Sequence, residues 1–174
     1  MSFDIGEEFG TAKKNLPSLK IVLICVAAIA LIAAIVSLVQ KPRQKATGTI
    51  DDLATAEVPN QGSILVGIAL SIKNPGEKPF LPRYITAEIT TDTGTYTDQA
   101  ASVVDAPRYL QAFPALAAGG QSPLQLENPV SPGGQSKGLV IVSFPITADA
   151  FAKRKSLKVT ITGPDQLVPL VLTK

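Results

Sequence analysis

The sequence predicts a mainly β protein: a β-sandwich of seven to eight strands preceded by one N-terminal transmembrane helix. Three observations predict it. Between Ile21 and Val39 the chain runs "IVLICVAAIALIAAIVSLV", with no charge and a single hydroxyl, Ser37. Beyond that stretch, apolar residues recur at every second position in several short runs, the period of a half-buried strand. Between the runs stand turn clusters such as "NPGEKP", "SPGG" and "GPDQ". A chain of 174 residues leaves room for one such core.

The apolar stretch comes first. As a helix it would be about 28 Å long, close to the ~30 Å hydrocarbon core of a bilayer. A cleaved signal peptide has an apolar region of about 7–15 residues and ends at a small-x-small site. Here the run is longer and leads into "SLVQKPRQKA", where Gln and three cations occupy the cleavage region. Cys25 follows Ile24 near the start of the run, whereas a lipoprotein Cys closes it, and no Glu stands early as in a prepilin leader. The reading is an uncleaved anchor. Lys13, Lys14 and Lys20 precede it and Lys41, Arg43 and Lys45 follow it, so the positive-inside count is a tie. A short inner tail with the larger domain carried outside is the usual arrangement for one anchor this near the start. Ala30 and Ala34, like Ala33 and Ser37, are small residues four apart, the spacing of a helix–helix contact that would support a homodimer.

The expected organisation is a tail at 1–20, the transmembrane helix at 21–39, a linker at 40–47 and the sandwich domain at 48–174. The whole chain carries a formal charge of +2, but from Ala46 onward ten Lys and Arg meet eleven Asp and Glu. The basic excess thus belongs to the helix flanks, and no electrostatic footprint for nucleic acid exists in the domain. "KRK" at Lys153 to Lys155 reads as solvated loop cations. Cys25 is the sole cysteine, so the domain forms no disulfide of its own.

The strands follow in order. "GTIDDLATAEV" opens the domain weakly. In "SILVGIALSIKN", Ile64, Val66, Ile68, Leu70 and Ile72 share one face, and Leu65, Gly67, Ala69, Ser71 and Lys73 share the other. That strand is buried on one side and partly covered on the other. "YITAEITT" places Ile85, Ala87 and Ile89 together; "GLVIVSF", apolar throughout its middle, reads as a central strand; "SLKVTIT" alternates through Leu157, Val159 and Ile161. "LVPLVLT" closes the chain, and Pro169 assigns it to an edge or a bulge because proline has no ladder N–H. Two short helices are expected, "APRYLQAF" capped by Asp105 with Pro107 in its first turn, and "ADAFAKR" capped by Thr147. "GGQS" at Gly119 and again at Gly133 marks two similar turns.

These turns and strands are similar to a known pattern. Asn74-Pro75-Gly76 ends one strand, Asp92-Thr93-Gly94 ends the next, and Pro132-Gly133-Gly134-Gln135-Ser136 leads into a strand containing Val140 and Val142. This resembles the membrane-anchored immunoglobulin-like domains of bacteria related to the FxLYD and late-embryogenesis-abundant type 2 groups. The aromatic motif that names the first group is missing, and "DAPRYLQAFPALAAGG" is longer than the usual connection. The resemblance implies an immunoglobulin-like sandwich on a single-pass anchor in the bacterial inner membrane, with the C-terminal domain periplasmic. It carries no agreed activity and no functional residues.

Asp92-Thr93-Gly94 is also the tripeptide of aspartic proteases, which need two carboxylates sharing one proton and hence, here, a homodimer. Thr90 and Thr91 stand where apolar residues should lead into the Asp, and Leu65-Val66-Gly67 precedes the motif instead of following it. The tripeptide reads as a hairpin turn, with Gly94 at positive φ and Asp92 accepting backbone N–H bonds. The chain has no His and no Cys outside the apolar stretch, so imidazole bases and thiolate nucleophiles are excluded. Asp51 and Asp52 with Glu57 lack the spacing of a Ca²⁺ loop and read as solvated strand ends. No catalytic, cofactor-binding or metal residues are expected, and no cofactor. Tyr109, Leu110 and Phe113 lie at helical spacing in the long connection, either plugging one end of the sandwich or forming an apolar partner contact.

The functional expectation is a non-enzymatic interaction or scaffold domain, held by its anchor among other proteins of an envelope complex. The alternative is a module for a lipid or other apolar ligand, and a remote alternative is a dimeric protease through Asp92-Thr93-Gly94. The segment from Ala46 to Lys174 should fold alone with a β-dominated far-UV circular dichroism spectrum, unchanged by thiol reagents. A predominantly helical spectrum would contradict the sandwich.

Overall fold

The computed structural model describes residues 18–39, 46–164 and 168–174. The chain separates into two compact units, the N-terminal helix and the strand-bearing remainder. The helix, α1, spans Leu19–Val39. Its 21 residues give a length of about 32 Å, and the side chains described on it, through Ser37, are exposed all round. Length and composition are those of a membrane anchor or a signal sequence.

Seven strands follow: β1 (Thr47–Val58), β2 (Ser63–Lys73), β3 (Tyr84–Thr90), β4 (Thr95–Gln99), β5 (Gln135–Phe144), β6 (Ser156–Thr162) and β7 (Leu170–Thr173). They form two antiparallel sheets, one ordered β1-β2-β5 and the other β4-β3-β6-β7. This is an immunoglobulin-like sandwich in which the fourth strand lies on the second sheet. Period-two alternation builds the core. Ile64, Val66, Ile68, Leu70 and Ile72 of β2 share one buried cluster with Ile85, Ala87 and Ile89 of β3 and with Leu157, Val159 and Ile161 of β6. Val140, Val142 and Phe144 of β5 close the cluster from the other side of β2. β7 is an edge strand begun just after Pro169, as that proline requires.

The opening strand, weak in sequence, is the longest. A bulge between Ile50 and Asp52 explains its composition. Ile50 pairs with Leu70 and Leu53 with Ile68, both directed at the core, so two residues must fit where strict alternation allows one. The bulge accommodates Asp51 and Asp52 together. These acids therefore sit in the middle of β1, not at a strand end.

"GLVIVSF" is not a central strand: β2 is central and β5 ends its sheet. Its apolar character has another cause. The free edge of β5 is closed by other segments, with Asp98 Oδ2 accepting from the Ser143 N–H at 2.7 Å and Ala101 N–H donating to the Ile141 carbonyl at 2.8 Å. Further along, Leu139 exchanges backbone hydrogen bonds with Ser122 and Leu124. Both faces of β5 are also covered, so it meets the environment of an interior strand.

The connection from Ala100 to Gly134 provides that cover. It contains α2 (Ala106–Ala112) and two short 3₁₀ turns, Pro114–Leu116 and Ala118–Gly120. Ala106, Leu116 and Ala118 pack with Leu65, Ala69, Leu139 and Ile141 in a second apolar cluster on the outer face of the three-stranded sheet. The face expected to be partly covered is thus buried along most of β2. Contact is close enough to dictate side-chain size. A Cβ on Gly67 would lie 2.1 Å from the Leu116 carbonyl oxygen, and one on Gly138 would lie 2.5 Å from Leu124 Cα.

Asn74, only 1% exposed, joins the turns at one end of the sandwich. Its Nδ2 donates to the carbonyls of Lys78 and Val130 at 2.9 and 2.8 Å, and its Oδ1 accepts from Gly76 N–H at 3.0 Å. Its backbone N–H donates to Gly134, and its carbonyl accepts from Gly133. The Asn-Pro-Gly and Pro-Gly-Gly turns are therefore tied to each other through one buried amide. A short third helix, α3 (Ala148–Ala152), is capped as expected, Thr147 Oγ1 accepting from Ala150 N–H at 3.3 Å.

Gly67→Ala should destabilise the domain by about 1–3 kcal/mol, the usual cost of overpacking, seen as a lower urea midpoint with an unchanged denaturant slope. An unchanged midpoint would mean that the Leu116 turn does not bear on the sheet.

Candidate functional site

α2 lies on the outer face of the three-stranded sheet, so Tyr109, Leu110 and Phe113 do not plug the end of the sandwich. Leu110 and Phe113 are half-buried against the second apolar cluster, while Tyr109 remains 37% exposed. Asp105 precedes the helix without capping it: its carboxylate accepts from the Ser102 hydroxyl at 2.6 Å. Ser102 Oγ in turn accepts from Asp105 N–H.

Tyr109 stands between two open clefts. One, of about 290 Å³, is lined by Asp105, Arg108, Ala112 and Phe113. The other, of about 320 Å³, is lined by Leu65, Asp98, Gln99, Ala101, Ile141, Val142 and Ser143. Gln99 joins the second to a third and larger cleft of about 650 Å³. There Leu81, Val103, Val104 and Leu126 supply apolar lining, Arg83 and Glu127 supply charge, and Tyr84 is 53% exposed. Tyr109 and Gln99, each shared by two clefts, link the three into one band. It turns from the outer face of the three-stranded sheet, where α2 lies, to that of the other sheet, from which Tyr84 projects. It holds Tyr84, Val104 and Tyr109, three of the four large apolar side chains exposed on the described sandwich.

Part of this band leaves a signal in the sequence. Pro-Arg-Tyr occurs twice, at Pro82-Arg83-Tyr84 and at Pro107-Arg108-Tyr109. Each copy lines one end of the band. The Arg83 guanidinium lies 5.8 Å from the Tyr84 ring centroid, within cation–π range. That the two tripeptides line one series of clefts depends on where the Ala100–Gly134 connection crosses between the sheets, which no local pattern encodes.

The Asp-Thr-Gly stretch is a hairpin turn between β3 and β4. Thr91, however, makes the turn bonds assigned to Asp92. Its N–H and Oγ1 both donate to the Gly94 carbonyl, at 2.9 and 3.1 Å, and its Oγ1 accepts from Thr93 N–H. Gly94 takes a φ of 154°. Asp92 is exposed and pairs with Lys155 Nζ at 2.9 Å. The second cation of "KRK" is different from its neighbours. Lys153 pairs with Asp149, whereas the Arg154 guanidinium lies 4.4 Å from the Phe151 ring centroid, and burial lowers its pKa.

Each β1 carboxylate has its own partner. Asp51 accepts from the hydroxyls of Ser71 and Thr49, Asp52 from Gly119 N–H at 2.8 Å, and Glu57 from Ala148 N–H at 3.3 Å. They are hydrogen-bond acceptors that fix neighbouring segments. On α1, Ala30 and Ala34 lie one turn apart on the same exposed face.

No protein-family model matches the chain, and no curated protein matches it. The likeness to the FxLYD and late-embryogenesis-abundant type 2 groups therefore rests on the turn motifs. Among solved structures the chain is similar to an uncharacterized β-sandwich protein from Clostridium difficile 630. The two are 14% identical, with 75% of this chain and 86% of that one covered and a TM-score of 0.38. At that score the similarity adds nothing to what the strand order shows.

The Ser71 hydroxyl, and after it that of Thr49, holds the Asp51 carboxyl below its ordinary pKa. A carboxyl lowered on folding stabilises above its unfolded value, about 3.9, and that contribution is lost as pH falls through the folded value. Asp51→Asn should therefore lower the urea midpoint at pH 7, and the difference from wild type should shrink below the ordinary carboxylate range. A difference independent of pH would assign the effect to shape instead of charge.

Proposed function

We propose that this protein is a membrane-anchored, non-enzymatic interaction domain that holds a protein partner at a bacterial cell envelope. The band of clefts carries this reading. It is an open surface whose two end clefts, each holding an Arg-Tyr pair, carry most of its apolar lining. Tyr and Arg are the residue types enriched where protein interfaces concentrate their binding energy. α1 supports tethering, being of spanning length and apolar on every side. In the bacterial inner membrane, with the tail inside, the sandwich would face the periplasm.

The alternative, an apolar ligand module, would use the 650 Å³ cleft, whose volume lies in the range of small-molecule sites. Such sites enclose most of their ligand, whereas this cleft is open, which favours the protein partner.

Full-length protein, purified in mild detergent from its own membranes, should retain a co-purifying protein in stoichiometric amount. Tyr84→Ser with Tyr109→Ser should release it, each change costing about 2 kcal/mol of binding. Retention of the partner by the double variant would reject the band as the interface. Stoichiometric lipid in place of protein would transfer the assignment to the alternative.

A further inference from the structure

The cover on the outer face of the three-stranded sheet stops short. Gly119 lies beside Ala69 Cβ, and beyond it β2 continues through Ser71 and Lys73 without an apolar lid. There the face opens into a groove of about 440 Å³. Thr47, Thr49 and Asp51 of β1 form one wall and Gln135 and Lys137 of β5 the other, with Ser71 and Lys73 between them. Three strands thus place seven polar side chains around one depression. Its floor residue, Ser71, is only 7% exposed.

Arg108, Lys153, Lys155 and Lys158 each have a carboxylate within 4 Å, whereas Lys73, Lys78, Arg83, Lys137, Arg154 and Lys174 have none among the described residues. Lys73 and Lys137 are the two of these that line this groove together. Lys73 stands opposite Gln135 and Lys137 opposite Ser71, a diagonal pair whose backbones lie roughly 7–8 Å apart. Two flexible ammonium groups so placed can converge on one anion. Asp51, the carboxylate lining the groove, is already engaged by the Ser71 and Thr49 hydroxyls. The donors left facing the groove are the two ammonium groups, the Gln135 amide and the Thr47 hydroxyl.

We infer that this groove binds an oxyanion of the phosphate type, gripped by Lys73 and Lys137 and oriented by Gln135 and Thr47. An oxyanion offers several acceptors around one centre, which matches a set of converging donors with two positive charges. The same chemistry is presented by a phospholipid headgroup and by a soluble phosphate. The site is separate from the band of clefts and does not depend on the partner assigned to it.

Lysine footprinting tests it. Full-length protein in maltoside micelles, which carry no phosphate, is treated with acetic anhydride while inorganic phosphate is titrated; a second arm adds phosphatidylglycerol to the micelles. Lys73 and Lys137 should be protected relative to Lys78 in at least one arm. Protection by inorganic phosphate assigns a soluble ligand, and protection in the phosphatidylglycerol micelles alone assigns a headgroup. Lys137→Gln should weaken the protection of Lys73 by roughly tenfold in concentration, the effect of losing one charge-assisted contact. Circular dichroism would confirm that the variant is folded. No differential protection in either arm, or protection of Lys73 unchanged by Lys137→Gln, would overturn the site.

Discussion

β2 is buried on both faces, and most of the structure follows from that. Its odd-numbered residues, Leu65, Gly67 and Ala69, point away from the sandwich core but cannot remain in water without exposing a continuous apolar strip. The chain covers the strip with its own Ala100–Gly134 connection, and the contact is made backbone to backbone, Leu116 carbonyl over Gly67. A glycine in the middle of a strand is locally unfavourable, having no side chain to pack and more freedom to lose. Its presence here is explained by the turn that rests on it.

That cover also sets where function can reside. It begins by crossing from β4 to the edge of β5, where Asp98 and Ala101 bond the strand's exposed groups. The crossing creates the clefts that link the two Pro-Arg-Tyr tripeptides round that edge. It ends at Gly119, held by Asp52, and the polar remainder of the sheet face is left open beyond it. The apolar band and the cationic groove are therefore two consequences of the same connection, one at each of its limits.

Several polar groups are fasteners between segments. Asn74 ties two turns, Asp52 holds the end of the cover, Glu57 meets the start of α3, and Asp98 closes a sheet edge. Asn74 and Asp98 satisfy buried or half-buried backbone groups that would otherwise lose their water without a replacement partner, a loss worth about 1–3 kcal/mol. The bonds of Asp52 and Glu57 are exposed. This gives the acids of "TIDDLATAEV" a structural meaning that neither a metal site nor a solvated strand end supplies.

By itself, the sequence determined the long apolar helix, the period-two strands and the turns between them. These depend on neighbours within a few residues: unbroken apolar length, alternation, and Gly or Pro at breaks. It also determined that Asp92-Thr93-Gly94 turns a hairpin, although which side chain holds the turn, Thr91 in place of Asp92, depended on atomic geometry. Only the tertiary structure decided that β2 is central and β5 an end strand, because burial on both faces writes the same apolar run in either position. Only it decided that α2 lies on a sheet face and not at an end, and that linked clefts join Tyr84 to Tyr109. The two tyrosines are far apart in the chain. Their clefts are linked by a crossing between sheets, and long-range placement of that kind leaves no period in the sequence from which to read it.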